Sequence, residues 1–122
     1  MLALNFYNDL YGDPLRKGRK SATIRLGDKS DKYQAGQIVW VTLGQRYSRR
    51  HKLFTGILDV VEVKPVRELS PRDIQRENPE FRSHDDITQL LSRVYSRDVT
   101  LDDVVTIIYF SPVEEYGFDG SG

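Results

Sequence analysis

The sequence predicts an α+β domain: a small, twisted β-barrel of five or six strands, with two or three helices packed over one opening. Two patterns predict it. Five short β-rich segments are separated by turn-rich segments, and two helical segments lie together before the final strand. The 122 residues, 39% of them hydrophobic, suit one compact domain. We expect this domain to span 1–112 and residues 113–122 to form a flexible C-terminal tail.

Strands are predicted where apolar residues alternate with polar ones or form short continuous runs. In the segment 21–26, Ala22, Ile24 and Leu26 share one face, while Thr23 and Arg25 share the other, because side chains alternate along a strand. The remaining predicted strands are 2–6, 38–43, 53–63 and 103–110.

Single residues within the strands carry two further expectations. Trp40 stands in the apolar segment 38–43, which predicts a core position. Gly56 stands inside the long segment 53–63, where an isolated glycine indicates a β-bulge.

The helices are predicted from their caps. Ser70, Pro71 and Asp73 supply a cap residue, a first-turn proline and an acid three positions after the cap, and this helix should stop near 78–79. Pro14 suits a short helix that ends at Gly18. Ser83 opens another helix, whose apolar stripe should pack into the core; the stripe comprises Ile87, Leu90, Leu91, Val94 and Tyr95.

Composition excludes several classes of site. The chain has no cysteine, so disulfides, thiolate metal sites and cysteine nucleophiles are absent. His51 and His84 have no partner ligands at metal spacing, so we predict no metal and no cofactor. No segment approaches the roughly 18 apolar residues of a membrane span, and the N-terminus lacks a secretory signal pattern. A soluble, cytoplasmic protein without membrane partners is the expectation.

A net charge of zero conceals an uneven distribution. Residues 1–52 hold 11 Lys or Arg and four Asp or Glu, whereas residues 53–122 hold seven and 14. A basic face on a neutral protein can attract a polyanion such as RNA. Alternatively, the acidic helices fold back and neutralise it, and the sequence favours neither interpretation.

The segment 18–25 carries the most specific motif. Its residues Gly18, Lys20, Thr23 and Arg25 resemble the G-x-K-x-x-T-x-R signature of the ASCH (activating signal cointegrator homology) family, a branch of the PUA-like β-barrels. The resemblance extends over roughly residues 2–111, through a Gly36 turn, a helical insert and a closing strand.

Within that family the sequence is most similar to small bacterial N4-acetylcytidine amidohydrolases. The resemblance implies catalytic roles for Lys20, Thr23 and Glu77, and a modified nucleoside or nucleotide as partner. Arg25, Arg19 and Asn78 are the expected substrate-binding residues. Other branches resemble RNA-binding modules or ribonucleases, and this chain departs from the small amidohydrolases in its basic segment 46–52 and its longer C-terminus.

The residue types themselves can support amide hydrolysis. Thr23 can act as nucleophile, an amine or carboxylate as base, and a cation such as Arg25 can stabilise the oxyanion. Lys20 can join them if it precedes the strand. Two assignments stay open: Lys20 as base oriented by Glu77, or Glu77 as base with Lys20 as an electrostatic clamp. Glu77 is also expected in the last turn of its helix, where the macrodipole disfavours negative charge.

The basic segment suggests single-stranded RNA as a second partner. Cations surround Tyr47, which can stack on a base. The candidate RNA-binding residues are Arg46, Tyr47, Arg49, Arg50 and Lys52. The alternative interpretation of this segment is a solvated hairpin or loop.

Overall fold

The computed structural model describes residues 1–7, 11–45 and 49–113. Its strands are β1 (Ala3–Phe6), β2 (Ala22–Leu26), β3 (Ile38–Leu43), β4 (His51–Pro65) and β5 (Val104–Pro112). Its helices are α1 (Gly12–Arg16), α2 (Pro71–Glu77) and α3 (His84–Tyr95), and one 3₁₀ turn, Val66–Glu68, connects β4 to α2. The predicted tail lies outside the described residues apart from Val113, whose N–H donates to the Thr55 carbonyl.

One curled sheet, with the strand order β1-β3-β4-β5-β2, forms a half-barrel. β1 pairs with β3 in parallel, and the other pairs are antiparallel. The two edge strands approach each other closely enough for the Arg25 guanidinium on β2 to donate to the Asn5 carbonyl on β1, at 2.9 Å. The predicted small α+β barrel is confirmed, with five strands and three helices in the part of the chain described.

The bend of β4 comes from two register shifts. Leu53 is the extra residue opposite the Val41–Thr42 step of β3, and Asp59 is the extra residue opposite β5. Gly56 pairs regularly with Val39, so the bulge expected at this glycine was wrong. A Cβ at position 56 would lie 3.2 Å from a Val41 methyl carbon, so this glycine is explained by close packing between strands.

The sheet separates two hydrophobic cores. The first fills the barrel interior and is built around Leu4, Phe6, Val39, Val41, Leu58, Ile108 and Phe110. The second lies between the helices and the opposite face of β2 and β5, and includes Ala22, Ile24, Val105, Ile107, Ile74, Ile87 and Leu91. β2 therefore points Ala22 and Ile24 at the helices, and the predicted alternation directs Thr23 and Arg25 to the other face.

Three predicted core positions were wrong. Trp40 is 42% exposed, because α2 and α3 cover β2 and β5 and leave its side of β3 bare. In the α3 stripe, Ile87 and Leu91 are buried as expected. Val94 and Tyr95 are 57% and 37% exposed, because they line an open cleft instead of the core. None of the described helices has the length and apolar character needed to cross a membrane.

Helix α2 is fixed at its start by the predicted cap. The Ser70 hydroxyl accepts from the Asp73 N–H, and the Asp73 carboxylate accepts from the Ser70 N–H. Asp73 also accepts from the Tyr109 hydroxyl and forms an ion pair with Lys64 at 3.1 Å. Burial alone would raise the pKa of Asp73, but these hydrogen bonds and the Lys64 ammonium together hold it below its usual range. Asp73 thus ties α2 to both β4 and β5.

We predict that Asp73→Asn lowers the free energy of unfolding at pH 7 by about 1–2 kcal/mol. The change weakens the helix cap, the hydrogen bond from Tyr109 and the ion pair with Lys64. The native pKa is depressed, so the carboxylate stabilises the fold above the unfolded pKa of about 3.9, and the benefit is lost as the pH falls through the native pKa. Urea unfolding at pH 7 and at pH 3 measures this.

The matched control is Asp85→Asn, which removes the same charge from the exposed first turn of α3. We expect a smaller loss there. Equal losses for the two variants, or a loss at Asp73 that is independent of pH, would contradict the role assigned to Asp73.

Candidate functional site

A cleft opens between the two edge strands, β1 and β2. Residues 5–7 from β1 and its end form one wall, Thr23 and Arg25 from β2 form another, and the second half of α3 closes the side with Leu90, Leu91, Val94 and Tyr95. Glu77 lies at its inner end. The cavity measures about 140 Å³. An apolar cavity of about 150 Å³ holds one benzene ring, so this cleft can accept a single six-membered ring.

The inner end of the cleft is built on a buried ion pair. Lys20 Nζ lies 2.6 Å from Glu77 Oε2, and the side chains are 2% and 4% exposed. Lys20 lies in the turn that follows Gly18 and precedes β2, as expected. Gly18 adopts φ +73°, the left-handed conformation that lets the chain turn there. The fold thus brings together two predicted residues that are far apart in the sequence.

All three N–H groups of the Lys20 ammonium have acceptors. They are the Ala22 carbonyl at 2.9 Å, the Glu77 carbonyl at 2.6 Å and Glu77 Oε2 at 2.6 Å. The rings of Tyr11 and Phe6 lie 4.3 and 5.5 Å from Nζ. Burial lowers the pKa of Lys20, and the adjacent Glu77 carboxylate opposes this shift. A neutral amine has two N–H groups and a lone pair, so the three acceptors fit the ammonium form.

Glu77 occupies the last turn of α2, where the helix dipole disfavours a carboxylate. The structure supplies the compensation. Besides Lys20, the Ile24 N–H donates to Oε1 at 3.0 Å, and the Tyr11 hydroxyl donates to Oε2 at 3.3 Å. Burial raises the pKa of Tyr11, and the negative charge of Glu77 raises it further, so this hydroxyl stays protonated. The carboxylate therefore has a fixed orientation, with Oε1 against β2.

Thr23 and Arg25 form a second polar pair in the cleft. Arg25 Nε donates to Thr23 Oγ1 at 3.0 Å, and the guanidinium carbon lies 5.1 Å from the centre of the Phe6 ring. Thr23 is 4% exposed, so its hydroxyl faces the cleft rather than bulk water. Since Oγ1 accepts from Arg25, the hydroxyl hydrogen of Thr23 remains available to a further acceptor.

The other expected site residues lie elsewhere. Arg19, Lys20 and Asn78 line a separate depression, and Tyr11 and Glu77 border both this depression and the cleft. Lys20 does not line the cleft, and it contacts the cleft lining through its ion pair with Glu77. Of the candidate RNA-binding residues, Arg49, Arg50 and Lys52 are exposed, with Lys52 in β4, whereas Arg46 and Tyr47 lie outside the described residues.

The sequence did not indicate several residues that shape the cleft. Tyr11 contacts both members of the ion pair, and no spacing or motif pointed to it. Val94 and Tyr95 were visible as an apolar stripe, but periodicity does not distinguish a core from a cleft wall. In the described ranges, no three His, Asp or Glu side chains lie close enough together to hold a metal ion.

Comparison with known proteins identifies the fold. No family model matches the sequence, and no curated protein matches it. Among solved structures, an ASCH domain from Lactobacillus crispatus JV V101 aligns with 90% of this chain and 77% of its own, with a TM-score of 0.65 and 16% identity. The chain has the ASCH-domain fold.

Two further solved structures are similar in fold to this chain. Protein EF3133 from Enterococcus faecalis V583, assigned to the family DUF984, aligns with 96% of this chain and 83% of its own, with a TM-score of 0.66 and 19% identity. The hypothetical protein PH0355 aligns with 92% of this chain and 98% of its own, with a TM-score of 0.61 and 14% identity. At these identities, the shared feature is the fold.

We predict strong energetic coupling between Lys20 and Glu77. Lys20→Met or Glu77→Gln alone leaves one buried charge unpaired and should cost about 3–5 kcal/mol of unfolding free energy. The double variant should cost less than the sum of the two, with a coupling of about 1–3 kcal/mol. Urea unfolding of the four proteins at low temperature measures this cycle.

The exposed ion pair between Lys17 and Asp13, at 3.1 Å, provides the control. The same cycle with Lys17→Met and Asp13→Asn should give a coupling of about 0.5 kcal/mol or less. Additive losses at Lys20 and Glu77 would show that the two side chains do not depend on each other.

Proposed function

We propose that this protein hydrolyses the amide of an acylated nucleobase such as N4-acetylcytidine, releasing the free amine and acetate. The observation that carries the proposal is the composition of the cleft. A buried hydroxyl, Thr23, and a buried carboxylate, Glu77, line a cavity that fits one six-membered ring. The apolar walls from β1 and α3 suit the faces of a pyrimidine.

The geometry favours one of the two proton-transfer assignments. The Lys20 ammonium donates to three acceptors and does not line the cleft, which suits an electrostatic clamp and leaves no lone pair to act as a base. Glu77 does line the cleft, and its Oε1 accepts one N–H with capacity for a second donor. We therefore assign the base to Glu77 and the fixing of its orientation and charge to Lys20.

The reaction then proceeds in two stages. Thr23 Oγ1 attacks the amide carbon while its proton passes to Glu77 through one water. The bond between carbon and the base nitrogen breaks, the nitrogen takes the proton, and the acyl group remains on Thr23 as an ester. Water, deprotonated by Glu77, hydrolyses this ester to acetate and restores the hydroxyl.

Arg25 stabilises the negative charge that develops as Thr23 attacks. Its Nε already donates to Thr23 Oγ1, so it stabilises the hydroxyl as the proton leaves. Its Nη2 is held by the Asn5 carbonyl, which fixes the guanidinium plane across the gap between β2 and β1. A positioned cation at this point suits an oxyanion better than a mobile one, because it needs no reorganisation.

Thr23→Val should abolish turnover of N4-acetylcytidine, with a loss of about 10³-fold or more, because it keeps the shape and removes the nucleophile. The melting temperature should change little. Release of cytidine, followed by chromatography, is the measurement. Thr88→Val, which removes a hydroxyl on α3 outside the cleft, is the control. Wild-type turnover in Thr23→Val would remove Thr23 from the mechanism.

The surface of β3 and β4 favours a second candidate function, binding of single-stranded RNA. The exposed Trp40 ring has Lys52 Nζ 5.4 Å from its centre. Arg49 and Arg50 immediately precede β4 and are exposed. An exposed aromatic ring beside cations is the arrangement on which bases stack while phosphates are neutralised. The sequence pattern predicts stacking at Tyr47; among the described residues, Trp40 fits that role.

Replacing Arg46, Arg49, Arg50 and Lys52 by Ser should weaken binding to labelled single-stranded RNA. The slope of log affinity against log salt should flatten by about 0.7 for each phosphate that the variant no longer neutralises. A variant with four other cations replaced, Lys17, Arg67, Arg82 and Arg97, has the same net charge and serves as control.

An equal slope in both variants would mean that the basic segment does not bind RNA locally. Shortening of the labelled RNA by the wild-type protein would instead indicate ribonuclease activity.

A further inference from the structure

The cleft continues outward into a second cavity. Arg25 and Tyr95 line both spaces, so the two are contiguous at the gap between β2 and α3. The outer cavity also has Lys29, Lys32 and Tyr33 in its lining, all from the loop that follows β2. A ligand whose ring fills the inner cleft would therefore extend past Arg25 towards these residues.

The lining of the outer cavity is cationic. It contains Arg25, Lys29 and Lys32, and the described residues that line it include no Asp or Glu. Two carboxylates belong to the same loop. Asp28 accepts from the Ser30 hydroxyl at 2.6 Å and from the Ser30 N–H at 2.9 Å, which occupies it locally and holds its pKa below the usual range. Asp31 is exposed and does not line the cavity.

The loop that carries the two lysines is held at both ends. The buried Thr106 hydroxyl donates to the Gly27 carbonyl at 2.7 Å and accepts from the Lys29 N–H at 2.8 Å. At the other end, Tyr33 is buried and its hydroxyl donates to the Ala3 carbonyl at 3.3 Å. The N–H groups of Lys32 and Tyr33 both donate to the Lys29 carbonyl. The backbone from which Lys29 and Lys32 project is thus fixed, which lowers the entropic cost of binding an anion.

We propose that the outer cavity binds a phosphate group attached to the nucleoside whose base occupies the cleft, with Lys29 and Lys32 as its cationic partners. This proposal rests on the proposed function for the identity of the ring. The phosphate can belong to a free mononucleotide or to a nucleotide within an RNA strand, since both carry it on the sugar next to the base. Arg25, at the boundary, lies between the ring and the phosphate.

The test measures binding, which does not require hydrolysis. Calorimetric titrations compare cytidine, cytidine 5′-monophosphate and the trinucleotide CpCpC against the wild-type protein. A phosphate held by two lysines should improve affinity over cytidine about tenfold or more, because charge-assisted hydrogen bonds are among the stronger ones. In the double variant Lys29→Gln/Lys32→Gln, the ratio of the affinity for the monophosphate to that for cytidine should fall towards one. Lys17→Gln, which changes an exposed lysine outside the cavity, should retain it.

The outcomes separate the two phosphate sources and the two proposals. Tighter binding of the monophosphate than of CpCpC identifies a free nucleotide, and the reverse order identifies a strand; both support the phosphate site. The phosphate site is overturned if cytidine and its monophosphate bind with equal affinity. It is also overturned if Lys17→Gln reduces the preference for the monophosphate as much as Lys29→Gln/Lys32→Gln does. Hydrolysis of N4-acetylcytidine is assayed separately, so its absence would remove the proposed function while the phosphate preference is judged from binding alone.

Discussion

The buried ion pair between Lys20 and Glu77 is the interaction on which the site depends. Removing two charges from water costs several kcal/mol for each ion, and their attraction repays this only when the remaining donors and acceptors are also satisfied. Here they are satisfied by the Ala22 and Glu77 carbonyls, the Ile24 N–H and the Tyr11 hydroxyl. In the described ranges, no buried side-chain nitrogen or oxygen lacks a partner. The pair therefore fixes the end of α2 against the start of β2.

That fixed junction connects the fold to the chemistry. The Asp73 cap sets the start of α2, seven residues long, and the ion pair sets its end, so the Glu77 carboxylate is placed from both directions. The curl of the sheet, produced by the two bulges in β4, brings β1 towards β2 and leaves a gap that Arg25 bridges. The cleft is this gap, so the same deformation that closes the half-barrel also creates the cavity for a ring.

The sequence predicted much of this arrangement, for identifiable reasons. The alternation in β2 correctly separated Thr23 and Arg25 from the helix-facing Ile24. The cap at Ser70 and Asp73 correctly placed the start of α2, and the stop expected near 78–79 agrees with the C-cap at Asn78. The misplacement of Trp40 and of the second half of α3 has one cause: apolar pattern shows which face avoids water in a layered fold, but not where the covering layer stops. The contacts of Tyr11 arise from tertiary packing over a separation of 66 residues, which local patterns cannot encode.

We infer that Lys20 is a fully hydrogen-bonded ammonium that holds the Glu77 carboxylate in place. Heteronuclear NMR of the lysine side-chain nitrogens at neutral pH tests it most directly, with Lys20→Met identifying the signal. In the wild-type protein, Lys20 Nζ should carry three slowly exchanging protons and show an ammonium chemical shift, and it should lose this protection in Glu77→Gln. A neutral amine at Lys20 in the wild-type protein would rule out the ammonium and return the role of base to Lys20.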